Sequence, residues 1–253
     1  MKLKPLELLL GLGALLLLFG KRSASRSSSK VNEMTFSGQL FTKNADFDAK
    51  VMVIATDIAG EGAKQEKIER VFNYLMAHMK SESGLDPTAH VNYNRKTKKF
   101  SYGLTGTDTI YDGVGEDTRT IGGGLFGLMR RWCNPPICSV PFDSFMLLSD
   151  LEQLDCFHNS IKPYRGKINS FADMRMTGFS PKFVGSAPSR VLYADDPLNP
   201  KDAYSANYFA DTNKNGKIEA GELYDKWNAN YNKWTAKAVK SGKPIQVTTA
   251  SGK

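Results

Sequence analysis

Residues 62–89 read GAKQEKIERVFNYLMAHMKSESGLDPTA, and this stretch sets the expected fold. Apolar side chains recur at the three- and four-residue spacing of one face of an α-helix, with charged residues between them. Gly84 is of a type that ends helices, and Pro87 cannot continue one. The pattern therefore predicts an amphipathic helix that ends near Gly84. Its apolar face consists of Ile68, Val71, Phe72, Leu75 and Met79.

Glu82 falls on the apolar side of this helix, in its last turn, because it follows Met79 by three residues and Leu75 by seven. A helix C-terminus carries partial negative charge, and apolar surroundings disfavour a second negative charge there. A carboxyl group in such a place suits a general acid. The spacing alone favours a plainer alternative, a solvent-exposed glutamate at a frayed helix end.

The eight residues from Glu82 to Ala89, ESGLDPTA, resemble the Glu-Ser-Gly-x-x-Pro-x-Ala motif of lysozyme-like lytic transglycosylases. The resemblance implies an α-helical domain in which Glu82 is the single catalytic acid/base and Ser83 helps to bind the substrate. It implies cleavage of peptidoglycan at the β-1,4 bond between N-acetylmuramic acid and N-acetylglucosamine. Glu82 would protonate the glycosidic oxygen and then take the proton of the muramic 6-hydroxyl, which closes a 1,6-anhydro ring.

A Gly-Leu-x-Gln segment lines the cleft in this family, and two segments compete for that place. Residues 101–106, SYGLTG, lie nearer to the motif, whereas residues 123–129, GGLFGLM, fit the apolar pattern better. We expect the second segment to line the cleft and residues 91–121 to be an insertion. Gly127 then stands where the family has its glutamine, which departs from the pattern. The substrate contacts predicted here are Gly124, Leu125 and Phe126.

The order of the later segments resembles that of phage-borne muralytic transglycosylases, over about residues 70–230. An apolar helix is predicted over residues 151–164, and Ser170 has the position of a helix N-cap. Tyr204, in an Ala-Tyr pair followed by Asn207, resembles the element that places an aromatic residue at the cleft. Tyr204 is therefore predicted to contact the glycan.

Residues 211–222, DTNKNGKIEAGE, match the twelve-residue loop of an EF-hand. Calcium needs oxygen ligands at alternate positions, a glycine at the sixth position and a glutamate at the twelfth. Lys217 would contribute only its backbone carbonyl oxygen. A single loop predicts a structural role rather than a switch, and some lytic transglycosylases carry such a loop. The predicted Ca²⁺ ligands are Asp211, Asn213, Asn215, Lys217, Glu219 and Glu222.

Cys133 and Cys138 flank four residues that include two prolines. This spacing permits a local disulfide bond if the backbone turns the two Cβ atoms together. Cys156 would then be a buried thiol within a helix. A bridge would indicate an oxidising compartment.

The formal net charge of +8 is unevenly distributed. Residues 1–45 carry a net charge of +5, residues 226–253 carry +6, and the residues between them carry −3. Because the middle is acidic and contains no recognition motif, sequence-specific nucleic-acid binding is not expected. The basic ends suit anionic lipid or anionic cell-wall polymer.

A leucine-rich run at residues 6–19 lies between lysines and predicts a membrane anchor. A cleaved signal peptide and a buried or interfacial helix are the alternatives. The expected organisation is a membrane anchor over residues 1–20, a flexible Ser-rich basic linker over 21–45, one catalytic domain over 46–234 and a disordered basic tail over 235–253.

Together these features predict an all-α protein with a lysozyme-like catalytic domain, an N-terminal transmembrane helix and a C-terminal EF-hand-like loop. The expected function is that of a peptidoglycan lytic transglycosylase in a bacteriophage virion membrane or a bacterial envelope. Peptidoglycan, the membrane and other virion proteins are the expected partners. Two alternatives stay open. One is a non-catalytic, membrane-tethered structural protein. The other is a calcium-dependent glycan-binding module that uses an aromatic stripe, formed by Leu223, Tyr224, Trp227, Tyr231 and Trp234.

Overall fold

The computed structural model describes residues 38–103, 117–196 and 203–247. The predicted membrane anchor at residues 1–20 lies outside this range, as do residues 21–37 of the predicted linker. Within the described residues, no helix combines the length and the apolar composition that crossing a membrane requires.

Helices and strands are interspersed along the described chain. The helices are α1 (Ala45–Ala59), α2 (Gln65–Ser83), α3 (Phe142–Phe145), α4 (Asp150–Ile161), α5 (Phe171–Phe179), α6 (Ala203–Asn207) and α7 (Ala220–Ser241). The strands are β1 (Phe41–Thr42), β2 (His90–Asn94), β3 (Lys99–Gly103), β4 (Thr118–Gly123), β5 (Leu128–Met129), β6 (Val191–Ala194), β7 (Lys217–Glu219) and β8 (Ile245–Gln246). Short 3₁₀ helices cover Arg130–Trp132, Lys162–Tyr164, Pro181–Phe183 and Tyr208–Ala210.

The all-α prediction is wrong, because about 51% of the structure is helical and 15% is strand. A four-stranded antiparallel sheet has the order β3-β2-β4-β5, and its first three strands along the chain cover most of what the structure describes of the segment expected to be an insertion, residues 91–103 and 117–121. Strands β2 and β4 contain the β-branched and aromatic residues that favour strands. The Asn94 side chain closes the turn between β2 and β3, since its Oδ1 accepts hydrogen bonds from the N–H groups of Lys96 and Thr97 at 3.0 and 2.8 Å.

The described chain divides into two compact units, whereas the sequence predicts one domain over residues 46–234. Glu82 belongs to the first unit, and the loop at residues 211–222 belongs to the second. The described chain passes from one unit to the other twice, after Gly166 and within α7 after Ala236. The first unit comprises residues 38–103, 117–166 and 237–247, and the second comprises residues 167–196 and 203–236.

Helix α2 confirms the predicted amphipathic helix and its end. Gly84 follows it in the left-handed conformation, with φ 67°, and the Gly84 N–H donates to the carbonyl of Lys80 at 3.0 Å. The apolar face is buried in the first unit, where α1 packs against α2. The residues with at most 1% exposure include Val71, Phe72, Leu75 and Met79.

The predicted boundaries at both ends of the folded part are wrong. Helix α7 continues to Ser241, and β8 pairs in parallel with β1, with Phe41 opposite Ile245. Thr235 and Ala238 are each 1% exposed, so the buried face of α7 extends past residue 234. Small and hydroxyl-bearing residues form that face here, and they give no apolar signal in the sequence.

The disulfide bond joins Cys138 to Cys156, not to Cys133. The Cα atoms of the bonded pair are 5.0 Å apart, which is within the usual range for a disulfide. Cys133 is a buried free thiol. Burial raises the pKa of Cys133 to about 11, so the unreactive protonated form dominates near neutral pH.

We expect one of the three cysteines to react with a thiol-alkylating reagent when the protein is denatured without reductant, and all three after reduction. The mass of the alkylated protein gives the number, and peptide mapping should place the non-reduced label on Cys133. A label on Cys156 instead would show that the bridge is the local one between Cys133 and Cys138.

Candidate functional site

The carboxylate of Glu82 lies beside the backbone of Gly127 in the first unit. Glu82 is half-buried in the last turn of α2. A Cβ atom built on Gly127 would stand only 2.8 Å from Oε2 of Glu82. The structure therefore brings Glu82 and residues 123–129 together. Of the competing segment 101–106, residues 101–103 belong to β3, and the rest lies outside the described range.

Ser83 ties the end of α2 to this segment. Its single hydroxyl proton is shared between two carbonyl oxygens, that of Leu125 at 2.8 Å and that of Met79 at 3.1 Å. The sequence predicts that Ser83 binds substrate, but the structure gives its hydroxyl two partners within the protein. Ser83 therefore holds residues 123–129, the glycine segment, next to Glu82.

The predicted glycan contacts in this segment are buried. Gly124 is buried, and Leu125 and Phe126 are 0% and 8% exposed, with the Phe126 ring 4.9 Å from that of Phe157. The apolar pair packs into the core of the unit, so these two side chains form part of the core and not an exposed surface. Gly127 is the one residue of β5 and the preceding turn, residues 124–129, that is not buried.

Gln153, on α4, connects the motif segment at residues 82–89 with the segment at residues 123–129. It is not among the site residues predicted from the sequence. It is fully buried, its Oε1 accepts from the Leu125 N–H at 2.9 Å, and its Nε2 donates to the Pro87 carbonyl at 2.9 Å. A buried amide with partners on both atoms fixes the geometry of the chains that it joins. The sequence signal that could have identified Gln153 is its position as a polar residue on the apolar face of a helix, next to Leu154 and four positions before Phe157.

Asp86, four residues after Glu82, is a buried acidic residue with 3% exposure. Its Oδ1 accepts hydrogen bonds from the N–H and the hydroxyl of Thr88 at 2.8 and 2.7 Å. This turn stabilises the motif segment directly before the Pro87 carbonyl that Gln153 binds. Asp86 is thus a structural residue of the motif.

The second unit holds the loop at residues 211–222, and its own backbone orients its side-chain oxygens. Asp211 Oδ1 accepts from the Asn215 N–H at 3.1 Å, and Asp211 Oδ2 accepts from the Gly216 N–H at 2.9 Å. Asn213 Oδ1 accepts from the Asn215 N–H, and Asn215 Oδ1 accepts from the Lys217 N–H. Gly216 has φ 76°, which a side chain would strain. The oxygens of three predicted ligands are therefore fixed within one turn.

Glu222 closes the other side of the loop. Its Oε1 accepts from the N–H groups of Thr212 and Asn213 at 2.7 and 3.1 Å, and its Oε2 accepts from the Glu219 N–H at 3.0 Å. Ile218, in β7, is fully buried, and β7 pairs with β6. The single loop thus has a strand partner from its own unit, in the place that a second EF-hand usually fills.

The donor set fits a hard cation that prefers oxygen, such as Ca²⁺. Asp211, Glu219 and Glu222 supply carboxylates, Asn213 and Asn215 supply amide oxygens, and Lys217 would supply its carbonyl. Among the described residues, no three His, Cys, Asp or Glu side chains lie grouped as a metal site. Half of the ligand set in this loop consists instead of amide and backbone oxygens.

No protein-family model, no curated protein and no solved structure matches this chain. The resemblance to lytic transglycosylases therefore depends on the short motif at Glu82 and on the order of the segments around it.

Tyr204 lies at the loop of the second unit, while Glu82 belongs to the first. The Tyr204 hydroxyl donates to Oδ2 of Asp211 at 2.7 Å. This bond, together with burial and nearby carboxylates, raises the pKa of Tyr204 to about 12. Although burial opposes it, the hydrogen bonds from Tyr204 and from loop N–H groups lower the pKa of Asp211. The structure thus gives the Tyr204 hydroxyl a partner within the loop.

Proposed function

We propose that this protein cleaves the glycan strands of peptidoglycan, with Glu82 as the single acid/base. The observation that carries the proposal is the place of the Glu82 carboxylate, half-buried at the end of a packed helix and beside the partly exposed backbone of Gly127. Because Gly127 has no Cβ atom, it places no side chain against the carboxylate, and we propose that the sugar approaches Glu82 from this side.

In the proposed mechanism, protonated Glu82 gives its proton to the oxygen of the β-1,4 bond as that bond breaks. The resulting carboxylate then accepts the proton of the muramic 6-hydroxyl while the hydroxyl oxygen bonds to the anomeric carbon. The proton on Glu82 is thereby restored, and no water is consumed. Ser83 and Gln153 hold the glycine segment that borders the carboxylate.

The disulfide bond between Cys138 and Cys156 supports a function outside the reducing cytosol, where peptidoglycan is found. This support is independent of Glu82, because the bridge lies within the same unit but joins other elements.

The test is digestion of purified cell walls by the full chain, followed by mass spectrometry of the released muropeptides. Products with anhydro ends are expected, since the mechanism closes a ring instead of adding water. Products with reducing ends would indicate that the protein is a hydrolase that uses the same acid, Glu82. The absence of any released muropeptide would contradict the proposal.

We expect Gly127→Ala to reduce muropeptide release by about tenfold to 100-fold, because the new Cβ displaces the Glu82 carboxylate and small misplacements of reacting groups are costly. Gly62→Ala is the matched control. Gly62 has φ 69° and open space around its missing Cβ. Both variants should lose about 1–2 kcal/mol of stability to a left-handed alanine. Equal activity of the two variants would show that Gly127 does not serve Glu82.

The loop at residues 211–222 is proposed to bind one Ca²⁺ ion as a structural element of the second unit. The ion would supply positive charge at the centre of the loop and neutralise its three carboxylates. Asp211, Asn213, Asn215 and Glu222 would hold it with their side chains.

A non-catalytic wall-binding protein is the second candidate, and Gly127 favours it, because the family has a glutamine there. The aromatic stripe offers this candidate little support, since Trp227 and Tyr231 are only 3% and 2% exposed. Sedimentation with cell walls that release no muropeptides would support this candidate.

A further inference from the structure

A pocket of about 630 Å³ lies in the second unit, between the 3₁₀ helix at Pro181–Phe183 and the start of β6. Its lining carries the cations of Lys182 and Arg190 and the hydroxyls of Ser186 and Ser189. Phe183 and Ala187 complete it, and no acidic side chain is among these described lining residues. The pocket is therefore positively charged.

The buried ring of Phe183 holds both cations at the pocket. The Lys182 Nζ is 4.8 Å from the ring centroid, and the Arg190 Cζ is 5.7 Å from it. Such contacts attract cations to the face of an aromatic ring. Within the described residues, neither cation takes part in an ion pair with a carboxylate. Their charges are thus available to a ligand.

The wall that carries Arg190 is fixed by backbone hydrogen bonds to the start of α7. The Arg190 carbonyl accepts from the Ala220 N–H at 2.9 Å, and the Pro188 carbonyl accepts from the Gly221 N–H at 2.8 Å. Strand β6 begins at the next residue and pairs with β7. The guanidinium therefore extends from a backbone that is held in place before any ligand binds.

We infer that this pocket binds a phosphate group. A guanidinium offers parallel N–H donors that match phosphate oxygens, an ammonium adds a compact charge, and hydroxyls can donate to the remaining oxygens. The inference concerns a site separate from Glu82 and does not depend on the proposed glycan cleavage. Phosphate monoesters of small molecules and phosphodiesters of polymers share the chemistry that the pocket recognises.

The test is a titration of the isotope-labelled full chain with inorganic phosphate, followed by NMR at constant ionic strength with chloride. Saturable shifts are expected at residues 182–190. The double variant Lys182→Ala/Arg190→Ala should bind at least about tenfold more weakly, because it loses charge-assisted hydrogen bonds worth more than 1.4 kcal/mol together. Glycerol phosphate as a monoester and a glycerophosphodiester, titrated likewise, distinguish the two sources.

The matched control is Lys237→Ala/Lys240→Ala, which removes the same charge from exposed positions of α7. This pair should bind phosphate as tightly as wild type. Three outcomes would overturn the inference: equal weakening in both double variants, identical shifts with chloride alone, or equally tight binding of acetate. The first two indicate a general charge effect, and the third indicates a site for any anion.

Discussion

Replacing Glu82 by glutamine is expected to slow muropeptide release by at least about 100-fold, since general acid–base catalysis contributes roughly 10²–10⁴-fold. The amide has nearly the shape of the carboxyl group. It can neither give a proton to the glycosidic oxygen nor accept one from the 6-hydroxyl. Glu82→Asp keeps the proton but withdraws it by one methylene group, so it should retain a small part of the activity.

The rate of muropeptide release at equal protein concentration measures this effect. Glu61→Gln is the matched control, because Glu61 is an exposed glutamate of the same unit, in the connection between α1 and α2. The control should act as wild type does, and Glu82→Gln should unfold at an unchanged temperature. Full activity of Glu82→Gln would falsify the proposed mechanism and show that another group catalyses the cleavage.

The helix that carries Glu82 could be predicted because its signals are local. Apolar spacing, a glycine stop and a following proline all lie within 28 residues of sequence, and α2 ends where they indicate. The direction of the Glu82 side chain follows from the same periodicity. The contact with Gly127 could be expected only through the family resemblance, because 45 positions separate the two residues.

The sheet, the disulfide partner and Gln153 could not be predicted, because each depends on distant pairing. Strand β2 has pairing partners on both sides, and short polar strands carry a weak signal without them. Cys138 and Cys156 meet only after α4 has packed, whereas the local spacing favours Cys133. The role of Gln153 depends on two backbone groups, at Pro87 and Leu125, that no spacing rule connects to it.

Leu125 and Phe126 show how a motif match can misassign side chains. The family pattern identifies a cleft-lining segment, and the structure does place this segment at Glu82. In a tight turn next to a core, however, apolar side chains pack inward, and the glycine that separates them from β5 stays partly exposed. Backbone position was therefore predictable here, and side-chain role was not.

Calcium at about 100 times its dissociation constant is expected to stabilise the protein by about 2.7 kcal/mol, because it binds the folded loop and not the unfolded chain. Glu222→Gln should lose most of this increment, since the amide can offer one oxygen where the carboxylate offers two. Unfolding by denaturant, with calcium and with a chelator, measures the increment. Asp225→Asn is the matched control, an exposed acid three residues further along α7.

The stabilisation by calcium distinguishes a metal site from a turn that is stabilised only by its own hydrogen bonds. Glu222 accepts hydrogen bonds from three loop N–H groups, so the variant should be less stable even in chelator. That loss alone says nothing about calcium. A calcium site requires that stability differs between calcium and chelator in wild type and in Asp225→Asn. The same difference must be absent in Glu222→Gln. An equal increment in all three proteins would show that calcium binds outside this loop. No increment in wild type would show that residues 211–222 are a turn closed by the hydrogen bonds of Asp211 and Glu222 alone.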